Sequence, residues 1–227
     1  NIINRKFIRE FEFSTDLDIR KNFSNQLNLI SINFAGEASF YWNSSISYNY
    51  DLDTFYNYLG YDFKNLGLHE LNLRTSPSEL INFRAEFEWG KDLSYNETIP
   101  MPGKLISTSF SLRFQLSNNL SMTPSYRSSK LKKSSDEYYF NGSISRLRFN
   151  YQFNNFLNIR LIAENNSFNE KFFIQPLIQW NPNPSTIFYF GGNQRTVDFV
   201  DNEFSRPELL DFNRSQFFLK FQYLIGI

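Results

Sequence analysis

Residues 214–227, RSQFFLKFQYLIGI, close the chain and decide its fold. Phe217, Leu219, Phe221, Tyr223, Ile225 and Ile227 fall on one face of a period-two ladder, and Lys220, Gln222 and Gly226 on the other. Alternation of this kind is the mark of a strand. Six apolar side chains in succession on one face suit a strand whose outer side meets hydrocarbon, in a barrel where the last strand pairs with the first and leaves no edge.

The same alternation recurs upstream. Ile81, Phe83, Ala85, Phe87 and Trp89 alternate with Asn82, Arg84, Glu86 and Glu88. Ile106, Thr108, Phe110, Leu112, Phe114 and Leu116 face away from Ser107, Ser109, Ser111, Arg113 and Gln115. Leu147, Phe149, Tyr151 and Phe153 oppose Arg146, Arg148, Asn150 and Gln152, and Leu157, Ile159 and Leu161 oppose Asn158 and Arg160. Near the start, Phe11, Phe13, Thr15, Leu17 and Ile19 oppose Glu10, Glu12, Asp16 and Asp18. Between Leu29 and Ile30 the parity changes, which predicts a bulge. Residues 51–67, 90–103, 128–136, 165–170 and 197–213 read as long connections, and 22–26, 75–79, 117–119, 154–155 and 181–185 as short ones. About twelve strands with long and short connections in alternation predict an all-β, transmembrane antiparallel β-barrel in a single domain, residues 1–227.

Composition agrees with this. The chain has 227 residues, 23 basic and 23 acidic, so no net charge draws it to nucleic acid. No run of eighteen apolar residues offers a transmembrane helix. A mean hydropathy of −0.45 suits a soluble domain equally well, because lumen-facing residues cancel lipid-facing ones in any window average. Phe, Tyr and Trp make up 19% of the chain, more than a soluble fold of this size calls for and suited to a lipid band with its girdles. With no Cys there is no disulfide framework, thiol nucleophile or thiolate metal site. A soluble β-sandwich, such as a carbohydrate-binding module, would also alternate, but its strands average about six residues.

Residues 145–153 (SRLRFNYQF), 157–162, 180–191 (WNPNPSTIFYFG) and the closing strand resemble the C-terminal barrel of a Gram-negative outer-membrane family that joins a carbohydrate-binding-module-like domain to a barrel domain of unknown function. The resemblance implies an outer-membrane location among lipopolysaccharide and other bilayer lipids. It further implies that these residues form the C-terminal part of a longer protein, with an N-terminal domain or a partner protein to anchor or translocate.

Little here suggests catalysis. His69 is the single imidazole, and no motif frames it with Glu70 or Asp62. Asp51 and Asp53 lack the fixed-offset cluster of a calcium loop. The expectation is a protein that is no enzyme and needs no metal or cofactor. The informative residues are the charges assigned to the lumen: Glu10, Glu12, Asp16, Asp18, Glu86 and Glu88 early, then Arg113, Arg146, Arg148, Arg160 and Lys220 late. Acid and base are segregated along the chain. In a water-filled bore they would bias permeating ions, as in a stand-alone porin-like channel; in a narrow one they would pair and plug it.

Overall fold

The computed structural model describes residues 8–95, 97–197 and 214–224. Its regular structure is all strand: β1 (Ile8–Lys21), β2 (Leu27–Phe40), β3 (Ser44–Tyr58), β4 (Tyr61–Phe63), β5 (Leu66–Ser78), β6 (Ile81–Leu93), β7 (Pro102–Ser117), β8 (Leu120–Lys132), β9 (Tyr138–Gln152), β10 (Leu157–Asn166), β11 (Lys171–Asn183), β12 (Thr186–Val197) and β13 (Arg214–Tyr223). Apart from the three-residue β4, strands run from 10 residues in β10 and β13 to 16 in β7. All can therefore cross a bilayer at a tilt, for which about 9–11 residues suffice.

The described residues within Asn1–Phe110 and Arg127–Asn141 form one compact unit, and those within Ser111–Tyr126 and Gly142–Ile227 a second. In the first unit β1, β2, β3, β5 and β6 pair antiparallel in chain order, with β4 folded against the end of β3. In the second, β9 to β13 pair in the same way. Apart from the short β4, strands within each unit thus lie beside their neighbours in sequence, the up-and-down pattern of outer-membrane barrels.

Asparagine shapes many of the turns. The Asn22 side chain accepts the backbone N–H of Ser24 at 3.0 Å and of Gln26 at 2.9 Å. Asn154 does the same for Phe156 and Leu157, Asn166 for Phe168 and Asn183 for Ser185. Between β2 and β3, Trp42 and Asn43 both take positive φ, 62° and 48°, as a tight hairpin turn requires.

Several expectations change, the connections 90–103 and 128–136 for instance shrinking to 94–101 and 133–137. Residues 51–58 continue β3 and 66–67 open β5, so the proposed long connection 51–67 shrinks to 59–65 with β4 inside it. Residues 75–78 belong to β5, and only 79–80 turn the chain. The anticipated bulge lies one step later, as a register shift between Ile30 and Ser31 against β3. The closing connection 198–213, and the terminal Ile225 and Ile227, lie outside the described residues.

Among the described residues the buried apolar side chains are Leu66, Leu93, Leu105 and Leu131. Meanwhile Phe11 is 69% exposed and Leu219 74%. In water every such side chain would forgo about 1.5–3 kcal/mol of burial. A sandwich would cover one face of each sheet with a second layer. Here the aromatic face has none, so the fold class is the transmembrane antiparallel barrel type rather than a sandwich.

Candidate functional site

Register sorts the first unit into two faces. Across β1, β2, β3, β5 and β6, one face carries the rows Phe11–Ala38–Ile46–Leu73–Ala85, Phe13–Gly36–Tyr48–Leu71–Phe87 and Thr15–Phe34–Tyr50–His69–Trp89. The last is a stack of rings. Tyr50 and His69 lie 4.3 Å apart at 13°, His69 and Trp89 5.1 Å apart at 12°, and Phe34 stacks on Tyr50 at 6.4 Å. His69 is thereby embedded in an aromatic row, with its Nδ1 2.7 Å from the Tyr48 hydroxyl. Thr15 lies midway along the apolar face of β1, from Phe11 to Ile19, so this row falls within the apolar band of a lipid-facing surface.

The opposite face is mostly polar, and its charges are mainly acidic. Its rows read Glu10–Ser39–Ser45–Arg74–Arg84, Glu12–Glu37–Ser47–Asn72–Glu86, Ser14–Ala35–Asn49–Glu70–Glu88, Asp16–Asn33–Asp51–Leu68–Gly90 and Asp18–Ser31–Asp53–Leu66. Glu10, Glu12, Asp16, Asp18, Glu86 and Glu88, expected together from their alternation, do share this face. Glu37, Asp51, Asp53 and Glu70 join them. Their signal was parity with Asn33, Asn49 and Asn72, once residues 51–58 are counted as strand. Two rows set like charges directly opposite each other, Glu12 against Glu37 and Glu70 against Glu88, and a third sets Arg74 against Arg84. Directly opposed like charges destabilise a sheet. Neutralising contacts are few: Arg20 meets Asp18 at 2.5 Å, and the amides of Asn33 and Asn72 donate to Asp51 and Glu70 at 2.6 Å.

At the end of this unit that bears connections 59–65 and 94–101, tyrosines gather. Tyr58 meets Tyr56 at 5.9 Å and Tyr95 edge-on at 5.2 Å. Burial, then the nearby Asp92 carboxylate that its hydroxyl contacts, push the Tyr95 phenol above its ordinary value. It therefore remains a neutral donor through the physiological range.

The second unit differs. Arg146 pairs with Glu164, which is only 5% exposed and lies directly opposite it. Arg148 stands opposite Ile162, and Arg160 lies between Asn150 and Leu177. Lys220 lies opposite Tyr189, its ammonium 5.8 Å from the ring centre. Arg113, on β7, is exposed. Phe173 and Leu177 share the parity of these charges, and Phe218 shares that of Lys220; Gly191 closes against Phe218 and Leu177. Glu164, the acid partner of Arg146, was not singled out in the sequence, although it shares parity with Arg160. This unit has an aromatic face of its own, on which Trp180 stacks with Phe188 at 5.2 Å and Phe221 lies tilted against Phe188 at 5.1 Å.

No protein-family model and no curated protein matches this chain. Among solved structures it is similar to the NanC porin in a rhombohedral crystal form, with 12% identity, 87% of this chain and 94% of that one covered, and a TM-score of 0.37. It is also similar to BamA from Haemophilus ducreyi lacking POTRA domains 1–3, with 12% identity, 86% of this chain and 47% of that one covered, and a TM-score of 0.35. Here the barrel class rests on this chain's own strand lengths and two-faced register.

Proposed function

We propose that this chain is an outer-membrane β-barrel that passes small hydrophilic solutes, cationic or zwitterionic ones in preference, along the acidic face of its first unit. The opposed pairs Glu12–Glu37 and Glu70–Glu88 carry the reading. In a dry interior two adjacent carboxylates could not both stay ionised, whereas in water the repulsion falls to about 1 kcal/mol at 4 Å. A face built this way is suited to hydration and to attracting cations. The environment it requires is a bilayer against the aromatic face, and no catalytic step or cofactor enters the proposal.

Membrane residence is tested by extraction: the protein should need detergent and should shift on a gel after boiling. Transport is tested in planar bilayers, where the reversal potential under a salt gradient should report cation preference. Replacing Glu12, Glu37, Glu70 and Glu88 together by Gln should abolish that preference. A channel whose selectivity ignored all four changes would refute the acidic-face reading.

A second reading, that the barrel anchors a domain or partner protein, is supported by the second unit. Its Arg146–Glu164 pair and its Phe218, Leu177 and Gly191 contact are built like filler rather than like a conduit. It also agrees with the resemblance to barrels that follow a carbohydrate-binding-module-like domain. Absence of any conductance in wild-type protein that has demonstrably inserted would favour this reading.

A further inference from the structure

The aromatic face of the first unit is not smooth. A groove of about 350 Å³ runs over Gly36 and Ala38 of β2, between Phe11 and Phe13 on one side and Ile46, Tyr48 and Leu71 on the other, with Phe34 at one end. Its floor exists because β2 carries small residues where its neighbours carry large ones: Gly36 stands between Phe13 and Tyr48, and Ala38 between Phe11 and Ile46. From Phe34 to Ala38 the strand advances about 14 Å, close to half of the ~30 Å hydrocarbon thickness. At the usual strand tilt of about 35–45° this is roughly 10–11 Å of depth, so the groove fits within one leaflet.

Its two ends differ. Phe34 begins the stacked ring row, whereas beyond Ala38 lies the β2–β3 turn, where Tyr41 and Trp42 are exposed as interfacial aromatics commonly are. Arg9 falls at this end, as the extra residue of the β1 bulge against Phe40 and Ser39, and is exposed. An apolar trough contained in one leaflet with a cation at its mouth complements an anionic amphiphile. The short connections, 41–43 and 79–80, lie at this same end, and in outer-membrane barrels short turns face the periplasm. That leaflet holds glycerophospholipid rather than lipopolysaccharide.

We infer that this groove is a binding site for one acyl chain of an anionic glycerophospholipid, such as phosphatidylglycerol, whose phosphate pairs with Arg9. The inference rests on the membrane-embedded reading of the aromatic face. Gly36 gives a direct test, because a Cβ added there would meet only the Glu12 carbonyl oxygen, at 3.9 Å, so the backbone accepts a side chain at this position, which would project from the floor of the trough.

Wild type, Gly36→Leu and Arg9→Gln proteins would be reconstituted into bilayers of phosphatidylethanolamine with one-quarter phosphatidylglycerol, then released for native mass spectrometry. Wild type should retain one phosphatidylglycerol in preference to phosphatidylethanolamine. Gly36→Leu should lower occupancy at least tenfold, and Arg9→Gln should abolish the headgroup preference while leaving some phospholipid bound. Equal retention by wild type and Gly36→Leu would overturn the proposal, as would preferential retention of added lipopolysaccharide. Gel-shift on boiling, read on the same samples, separates the two levels: inserted protein with unchanged lipid removes only the groove, whereas protein that stays in solution without detergent removes the membrane reading beneath it.

Discussion

The polar faces of the two units solve the problem of charge in opposite ways. In the first, carboxylates oppose carboxylates and Arg20 pairs with Asp18 within one strand, with both partners well exposed. In the second, the nearly buried Glu164 is held by Arg146, and apolar side chains fill space on the same parity. Ionised groups without close partners require water, whereas a buried carboxylate requires its cation. On the proposed reading the first face is wet and the second packed, and substitutions should separate them several-fold in free energy.

The widest gap is expected between Arg146→Met and Glu86→Gln. Losing Arg146 strands a buried carboxylate and should cost about 3 kcal/mol, the lower part of the range for breaking a buried pair because Arg146 is itself part-exposed. Glu86 stands opposite Asn72 on the hydrated face, and its change to Gln should stay within about 0.5 kcal/mol. Urea unfolding from lipid vesicles measures both. Equal costs would erase the distinction between the faces.

A smaller contrast sets glycine against glycine. At Gly191 an added Cβ would lie 2.6 Å from the Phe218 ring and 3.0 Å from Leu177, so Gly191→Ala should cost about 1–3 kcal/mol through overpacking. Gly36→Ala meets nothing closer than 3.9 Å and should be neutral or slightly stabilising. The same unfolding assay decides, and a neutral Gly191→Ala would show that the second face is looser than its contacts imply.

Relief of repulsion should be smaller still. Glu70→Gln removes one of two facing carboxylates and should stabilise by about 0.2–1 kcal/mol, the scale of cross-strand pairs, while lowering cation preference in bilayers. A destabilised variant would mean that Glu70 has a favourable partner, such as the Asn72 amide at 2.6 Å, that outweighs the repulsion.

Much of this architecture was legible in the sequence because one physical rule governs it. Alternation at period two, repeated in strands as clear as Ile81–Leu93, fixes both the strand and the face each residue takes. What escaped notice lay where composition contradicts pattern. Asp51 and Asp53 are poor strand formers and read as loop, yet with Asn33 and Ser31 opposite them they belong to the polar rows. The register shift at Ile30/Ser31 then hides the parity of residues 55–58. Glu37 was passed over because it sits among Ala35, Gly36 and Ala38, too small to mark a face. Pairing across strands, including Arg146 with Glu164 and the groove over Gly36, depends on register and cannot be read from one strand alone.

The smallest effect belongs to a loop of the first unit, where an ion pair does occur but off the sheet face. Lys132 and Asp136 lie 2.7 Å apart beside connection 133–137, and the lysine's hydrogen bond and charge hold the Asp136 carboxyl below its ordinary value. A carboxyl depressed by folding contributes stability above its unfolded pKa and loses it as pH falls through the folded value. Asp136 is exposed and Lys132 part-exposed, so the consequence should be confined to the loop, which the Lys133 N–H to Glu137 carbonyl bond of 2.7 Å otherwise closes. Amide protection factors across 133–137, taken relative to the intrinsic exchange rate at each pH, should be higher at neutral pH and fall only in strong acid, and Asp136→Asn should show the lower protection at every pH with bilayer selectivity unchanged. A change in selectivity would instead couple this loop to the acidic face, and ion pairing in the first unit would then no longer be separable from its wet surface.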